Sequence, residues 1–248
     1  MIRELRLADQ VRAACGDDDL VMWAAQGMTD ACGARVWAAG DAVVAACPRI
    51  SRRDRLAVWG GPGCAAELVR HALGEVGPSF RPFGEAGLVR AVTAAVDGLA
   101  VSGEFSWMSL DGTVGGADRV PGAVGWLDGG ADAEIAALLA ADAPDSYAAP
   151  GVAGVRRWAG LRVGGRLASV AADAWSAPTV GLLAGVATGA RFRGRGLAER
   201  VCRWVSGELV QQYGRAALMV NDDNAAAIAL YERIGYRRRR LLAAHAVG

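Results

Sequence analysis

The chain has 248 residues, of which 53% are hydrophobic and 21% charged, so it can bury a core and wholesale disorder is excluded. Its formal net charge of +1 gives no electrostatic basis for binding nucleic acid or an anionic membrane surface. Five cysteines without a C-x-x-C pair, beside only two histidines, argue against a zinc cluster. No apolar run approaches the roughly 20 residues of a spanning helix. We therefore expect a cytoplasmic protein with reduced thiols, no metal, and neither nucleic acid nor membrane as a partner.

The first half of the chain predicts an α/β unit. Two strands flank the Gly40-Asp41 turn, and a third runs into the glycines of Gly60-Gly61-Pro62-Gly63 and then a helix. A strand, a helix and a final strand follow. The predicted strands are 35–39, 42–47, 56–59, 79–83 and 104–108, and the predicted helices are 64–73 and 87–96.

A glycine-rich segment from Asp111 to Asp118, with Pro121-Gly122 close behind, indicates a linker or a domain boundary. We therefore predict an N-terminal α/β lobe at residues 1–115 and a second domain at residues 120–248.

The second domain predicts a longer alternation of strands and helices. Its fourth strand, 180–188, is almost entirely apolar, as expected for a central position in a sheet. The order β-α-β-β-β-α-β-α-β comes from strand 124–127, helix 132–141, hairpin strands 155–163 and 167–175, strand 180–188, a helix ending near 212, strand 216–220, helix 224–234 and strand 236–244.

The most informative motif lies between strand 180–188 and the following helix. It reads Arg191-Phe192-Arg193-Gly194-Arg195-Gly196-Leu197-Ala198. Glycines allow the backbone to approach phosphate oxygens, and the first N–H groups of a helix point at them. A strand that ends in glycines and opens a helix is therefore typical of a phosphate site.

A second motif begins at Asn224 and reads N-A-A-A-I-A-L-Y-E-R-I-G-Y to Tyr236. Together the two motifs resemble the acetyl-CoA site of the GNAT superfamily of N-acetyltransferases, with patterns [QR]-x-x-G-x-[GA] and N-x-x-A-x-x-L-Y-x-x-x-G-[FY]. Val186-Ala187-Thr188 and the Leu197-Ala198 continuation resemble the branch that includes glycine-N-acyltransferase-like C-terminal domains. The resemblance covers roughly residues 123–247.

The resemblance implies a mixed-sheet α/β fold, in which a C-terminal GNAT acyl-CoA N-acyltransferase domain follows a smaller N-terminal lobe. That lobe repeats the strand–loop–helix–strand–helix–strand succession. Its loop Gly60 to Gly63 has no arginine, and Pro62 removes one donor N–H. We interpret the lobe as a degenerate GNAT-like domain that has lost the cofactor site; an unrelated α/β lobe is the alternative.

The resemblance also implies roles for single residues. The backbone from Phe192 to Ala198 would hold the pyrophosphate, after Arg191 in the first motif position. Val186, Ala187 and Thr188 would pair with the pantetheine arm as an added strand would, and one N–H would polarise the thioester carbonyl. Asn224 would contact the arm and also serve as a helix N-cap, with Ala227 in the same motif. Tyr231 would protonate the leaving thiolate, or serve only as a core tyrosine.

The general base is left open by the sequence, because strand 180–188 contains no acidic residue. Asp173, on the preceding strand, is the nearest candidate, unless it is a solvated surface acid. Glu104 qualifies only if the two halves face each other. A water chain would need no side chain at all.

The resemblance carried by the two motifs implies an acetyl-CoA-dependent N-acetyltransferase. It would transfer the acetyl group to a small-molecule amine or amino-acid-like acceptor by direct attack in a ternary complex. The alternatives are a catalytically silent CoA-binding regulatory module and an acyltransferase that uses longer acyl-CoAs. The oligomeric state stays open.

Overall fold

The structure is a computed structural model that describes residues 1–28, 33–112 and 124–247. Several features predicted from the sequence lie outside the described residues. They are Cys32, the part of the predicted linker from residue 113 to residue 118, Pro121-Gly122, and the predicted domain limits at residues 115 and 120. The helices are α1 (Ala8–Cys15), α2 (Asp19–Ala24), α3 (Pro62–Val76), α4 (Ala86–Ala95), α5 (Asp132–Asp142), α6 (Leu197–Tyr213) and α7 (Ala225–Ile234). The strands are β1 (Arg3–Leu5), β2 (Arg35–Ala39), β3 (Ala42–Ile50), β4 (Arg53–Trp59), β5 (Arg81–Glu85), β6 (Leu99–Asp111), β7 (Gly125–Trp126), β8 (Val155–Val163), β9 (Arg166–Ala174), β10 (Gly181–Thr188), β11 (Arg215–Asn221) and β12 (Arg237–Ala246).

The chain divides into two compact units. Unit 1 contains Met1–Trp107, Val220–Asp223 and Arg238–Gly248, and unit 2 contains Met108–Met219 and Asn224–Arg237. The end of the chain therefore belongs to the same unit as its beginning. The division predicted from the sequence, 1–115 and 120–248, stays a prediction.

Unit 1 contains a mixed sheet with the strand order β1-β2-β3-β4-β5-β12. The first four strands are antiparallel neighbours, β5 runs parallel to β4, and β12 pairs antiparallel with β5 through Leu241↔Glu85 to Ala243↔Phe83. Helix α3 covers one face, where Leu68, Val69 and Ala72 pack with Val44, Leu56 and Val58 in one buried cluster. Burial of these side chains is the main stabilising contribution to the unit.

Unit 2 contains a sheet with the order β11-β10-β9-β8-β7, in which only the β10–β11 pair is parallel. Helix α6 crosses this sheet closely at Gly181. A Cβ there would lie 2.6 Å from Tyr213 Cδ2 and 2.8 Å from Leu209 Cβ, so the contact requires glycine. α6 buries Val201, Cys202, Val205 and Leu209 along one face, whereas Trp204 of the same helix is half-buried.

The predicted mixed-sheet α/β fold class is confirmed. β2 and β8 have the predicted limits, and every other predicted strand and helix is present with ends shifted by a few residues. The sequence reading missed β1, α1 and α2. α2 is six residues long and buried from Leu20 to Ala24, so it has no polar face and no helical periodicity to detect.

None of the helices in the described part of the chain is long and apolar enough to cross a membrane.

Candidate functional site

β10, the strand of unit 2 that precedes the glycine loop, is bent. β10 pairs with β9 through Leu183↔Asp173 and Ala184↔Ala172, and the register then shifts before Ala187↔Val170. Two residues, Gly185 and Val186, therefore lie opposite one, which is a β-bulge; Gly185 has φ +62°, as bulges of this type require.

The bend coincides with the end of strand pairing on the other edge of β10. Pairing with β11 is confined to Gly181↔Ala216 and Leu182↔Ala217. Among the described residues, none of β10 after Leu182 pairs with β11. The edge of β10 that includes Val186, Ala187 and Thr188 is therefore open to an added extended chain.

The glycine loop follows directly. Ala190–Phe192 form a 3₁₀ turn in which the Phe192 and Arg193 N–H groups donate to Gly189 O and Ala190 O. Gly194 and Gly196 have φ +73° and +70°, and a Cβ on either would meet no atom within 4 Å. α6 begins at Leu197, and its first helical bond is Arg200 N–H to Gly196 O, 3.2 Å. The N–H groups of Leu197, Ala198 and Glu199 precede that bond and point out of the helix end.

Three arginines surround this helix end and differ in their contacts. Arg191 and Arg195 are exposed, with Cζ 4.8 and 5.9 Å from the ring centroid of the buried Phe192. Arg193 instead pairs with Asp142 at 2.9 Å and donates from Nε to Thr188 O. Arg191 and Arg195 are therefore the cations available to an anion here, whereas Arg193 joins the end of α5 to the end of β10.

Asn224 is the N-cap of α7, and its Oδ1 accepts from the Ala227 N–H at 3.1 Å. The helix-capping interpretation is thus confirmed. Asn224 is exposed, so the side-chain N–H₂ group faces solvent on the same helix that carries Tyr231.

Tyr231 is buried in unit 2 beside Tyr236, with ring centroids 5.9 Å apart. Burial, with Cys202 and Tyr236 nearby, raises the pKa of Tyr231 well above 10. Its hydroxyl makes no hydrogen bond with a described residue, whereas the Tyr236 hydroxyl bonds Ser206 Oγ at 2.8 Å. Tyr231 is therefore a neutral phenol whose proton has no competing acceptor in the described structure.

Cys202 lies on α6 and is fully buried, which raises the pKa of its thiol to about 12. A thiol with such a pKa is protonated at neutral pH and is not a nucleophile.

Asp173 is buried in a polar network of unit 2. Its Oδ2 accepts from Arg157 Nε at 3.2 Å and from the Tyr213 hydroxyl at 3.1 Å, and its Oδ1 accepts from Ser176 Oγ. Ser176 Oγ in turn accepts from the Leu182 N–H at the start of β10, 2.8 Å. Burial beside Asp173 also raises the pKa of Tyr213. These contacts favour a role in holding β9, α6 and β10 together, and the interpretation of Asp173 as a surface acid is wrong.

Replacing Asp173 by asparagine is expected to lower the free energy of unfolding by about 2–3 kcal/mol, because it leaves Arg157 without its buried partner. Thermal unfolding and turnover at 25 °C check this, with the exposed Asp145→Asn as the matched control. A general base would behave differently. The variant would then keep its stability and lose kcat together with the acidic limb of the pH profile.

The corresponding loop of unit 1 has a different environment. A Cβ at Gly61 would lie 2.3 Å from Asp41 Oδ2, so a carboxylate occupies the space in front of α3, and Pro62 provides no N–H there. β4 and β5 pair from Arg55↔Arg81 to Val58↔Gly84, one residue from the end of each strand. The described part of unit 1 thus has neither the open strand edge nor the uncovered helix end of unit 2.

No cluster of three or more metal-ligating side chains occurs in the described ranges.

The bulge of β10 was not predicted from the sequence. Its only signal was a glycine inside a strand pattern, which is typical of a bulge.

Residues 159–243 match the family model described as FR47-like protein. No match to this chain is found among curated proteins. Among solved structures, a GNAT-family protein from Novosphingobium aromaticivorans is 26% identical, with a TM-score of 0.53; the alignment covers 84% of this chain and 88% of that one. A GCN5-related N-acetyltransferase from Kribbella flavida is 18% identical, with a TM-score of 0.60 and coverage of 98% and 97%.

The chain has the GNAT fold. A tandem GNAT protein from the clavulanic acid biosynthesis pathway also aligns over 100% of this chain and 99% of its own length, at 13% identity and a TM-score of 0.51. The family match and the shared GNAT fold support membership of the superfamily. The glycine-N-acyltransferase-like branch stays a prediction.

Proposed function

We propose that this protein is an N-acetyltransferase that transfers the acetyl group of acetyl-CoA to a small-molecule amine or amino-acid-like acceptor. The observation that carries the proposal is the combination, within unit 2, of an uncovered helix end at Gly194–Leu197 and an open strand edge on β10. The first suits a pyrophosphate, and the second suits the two amides of a pantetheine arm. A cytoplasmic location is part of the same proposal.

The phosphates bind at the start of α6. The N–H groups from Gly194 to Glu199 are the donors, because those of Phe192 and Arg193 are used inside the 3₁₀ turn. Arg191 and Arg195 supply positive charge on either side of Phe192, as charge-assisted contacts to phosphate require.

The pantetheine arm lies along Val186, Ala187 and Thr188 in the manner of an added strand. An N–H group of the bulge donates to the thioester oxygen and stabilises the oxyanion that forms there. Asn224 and Ala227, at the first turn of α7, contact the arm from their own helix.

In the reaction, the lone pair of the neutral amine attacks the thioester carbon and the C–S bond breaks. The departing sulfur takes a proton from the Tyr231 hydroxyl, and the amine nitrogen loses one to water. The Tyr231 phenolate then regains a proton from water, so the tyrosine is neutral again at the end of each turnover. We assign no deprotonating role to Asp173, because both of its oxygens already accept hydrogen bonds.

Titration of the purified protein with acetyl-CoA by calorimetry, followed by an amine panel with detection of released CoA, tests the proposal. Micromolar binding with turnover supports it. Binding without turnover on any amine would favour a silent CoA-binding module, which the lack of an acid on β10 also suggests. A higher kcat/KM for butyryl-CoA or hexanoyl-CoA than for acetyl-CoA would favour a longer-chain acyltransferase. No binding at millimolar cofactor would end the proposal.

We expect one acetyl-CoA to bind per chain, because in unit 1 the Asp41 carboxylate faces α3 and β4 pairs with β5 almost to its end. The calorimetric stoichiometry measures this directly. Two equivalents per chain would contradict the interpretation of the N-terminal lobe as degenerate. The Gly196→Ala variant is the control, since it should weaken binding at this single site and leave no second, unaffected binding event.

A further inference from the structure

Trp158 lies against the bulge of β10. It is on β8, is 5% exposed, and is in register with Ala172 of β9, which is itself in register with Ala184 of β10. Because Ala172 and Ala184 have small side chains, the indole can extend over them towards Gly185.

The contact between Trp158 and the bulge is tight. A Cβ on Gly185 would lie 2.5 Å from Trp158 Cη2 and 2.8 Å from Cζ3, so only glycine fits against this ring. Ala148 closes the same space, with its Cβ 3.1 Å from that position. The six-membered ring therefore fills the volume into which the bulged backbone would relax.

We propose that Trp158 is a positioning residue that holds the bulge at Gly185–Val186 and so keeps the adjacent edge of β10 open for the pantetheine arm. The proposal rests on the proposed function. A bulge bends its strand and increases the local twist. The bend in β10 begins within two residues of the last β10–β11 pair, Leu182↔Ala217. A ring packed into the bend stabilises the bent state over a straight, fully paired strand.

The indole N–H contributes nothing to this role. Trp158 Nε1 is buried and has no hydrogen-bond partner in the described structure, an arrangement that costs about 1–3 kcal/mol. The volume and flatness of the ring are therefore what matters, and phenylalanine should substitute for it better than leucine does.

The test compares two ligands that differ only in the arm. CoA carries the pantetheine arm, and adenosine 3′-phosphate 5′-diphosphate is the nucleotide half of the same molecule. In Trp158→Leu we expect the Kd of CoA to rise about tenfold while the Kd of the nucleotide stays within about twofold. The kcat for acetyl transfer should fall about 100-fold, as a misplacement of about 1 Å can cause. Trp158→Phe should keep the Kd of CoA and the kcat close to their wild-type values.

Trp204→Leu is the matched control. Trp204 is also in unit 2 and packs on Trp126 with ring centroids 5.1 Å apart, and neither ring is among the atoms nearest a Cβ on Gly185. The Trp204→Leu variant should lower the melting temperature and leave the Kd of CoA and the Kd of the nucleotide unchanged.

Equal weakening of CoA and nucleotide in folded Trp158→Leu, or no weakening of either, would overturn the inference. If that variant does not fold, Gly185→Ala takes its place, because its added Cβ meets the same ring; an unchanged CoA-to-nucleotide ratio there would also overturn it. Failure of the wild-type protein to bind either ligand is a different result, since it rejects the proposed cofactor site itself.

Discussion

Replacement of Tyr231 by phenylalanine is expected to lower kcat about 100-fold or more while leaving KM for acetyl-CoA within about twofold, as loss of a general acid does. The variant should fold normally. The Tyr231 hydroxyl makes no hydrogen bond with a described residue, so its removal leaves no group of the described structure unpaired. Steady-state kinetics with CoA detection, together with a thermal melt, measure both effects.

The matched control is Tyr236→Phe. That hydroxyl bonds Ser206 Oγ at 2.8 Å in the core, so its loss should reduce the free energy of unfolding by about 1 kcal/mol and leave kcat unchanged. Equal turnover by Tyr231→Phe and wild type would remove the proton-donor role and leave Tyr231 as a core residue.

The pH dependence provides a second check on Tyr231. Because burial raises its pKa well above 10, the phenol keeps its proton throughout the range in which the protein is assayed. A proton donor loses activity only when the pH passes its pKa. The kcat profile should therefore show no loss up to about pH 10, the ordinary value for tyrosine. An alkaline limb near pH 8 that disappears in Tyr231→Phe would contradict the raised pKa.

Replacement of Gly196 by alanine is expected to weaken acetyl-CoA binding about 30-fold or more with only a small loss of stability. In the free protein an added Cβ meets no atom within 4 Å, so the cost is the positive φ of +70°, about 1–2 kcal/mol. In the proposed cofactor complex, the methyl group would lie where the phosphate approaches the backbone. Gly194→Ala, at φ +73°, should behave in the same way.

Gly207→Ala is the matched control for the loop variants. Gly207 is inside α6, its φ is not positive, and an added Cβ also meets no atom. This change should stabilise the helix by up to about 1 kcal/mol and leave the Kd unchanged. Calorimetry with acetyl-CoA and desulfo-CoA measures the series. Unchanged affinity in Gly196→Ala would show that the phosphates lie elsewhere.

Much of unit 2 could be predicted from the sequence because its signals are local. The Gly164-Gly165 hairpin turn separates β8 from β9, helical spacing defines α6, and Gly194 and Gly196 mark a backbone that needs positive φ. The N-cap of α7 is predictable from Asn224, since its side-chain oxygen and the N–H group that it accepts from, on Ala227, are only three residues apart. Each of these features depends on residues within one turn or one hairpin.

The remaining features are decided by partners distant in the chain. The sequence placed β12 after α7 but could not show that it pairs with β5, where Leu241 pairs with Glu85, because many strand pairings satisfy the same apolar pattern. From the sequence, Asp173 was a candidate general base near the site. The structure shows that its carboxylate accepts hydrogen bonds from Arg157, Tyr213 and Ser176. The sequence by itself determined the glycine loop and the local elements. Only the tertiary structure decided the end of β10–β11 pairing, the place of Trp158 against Gly185 and the neutral environment of Tyr231, because burial and packing are set by the whole chain.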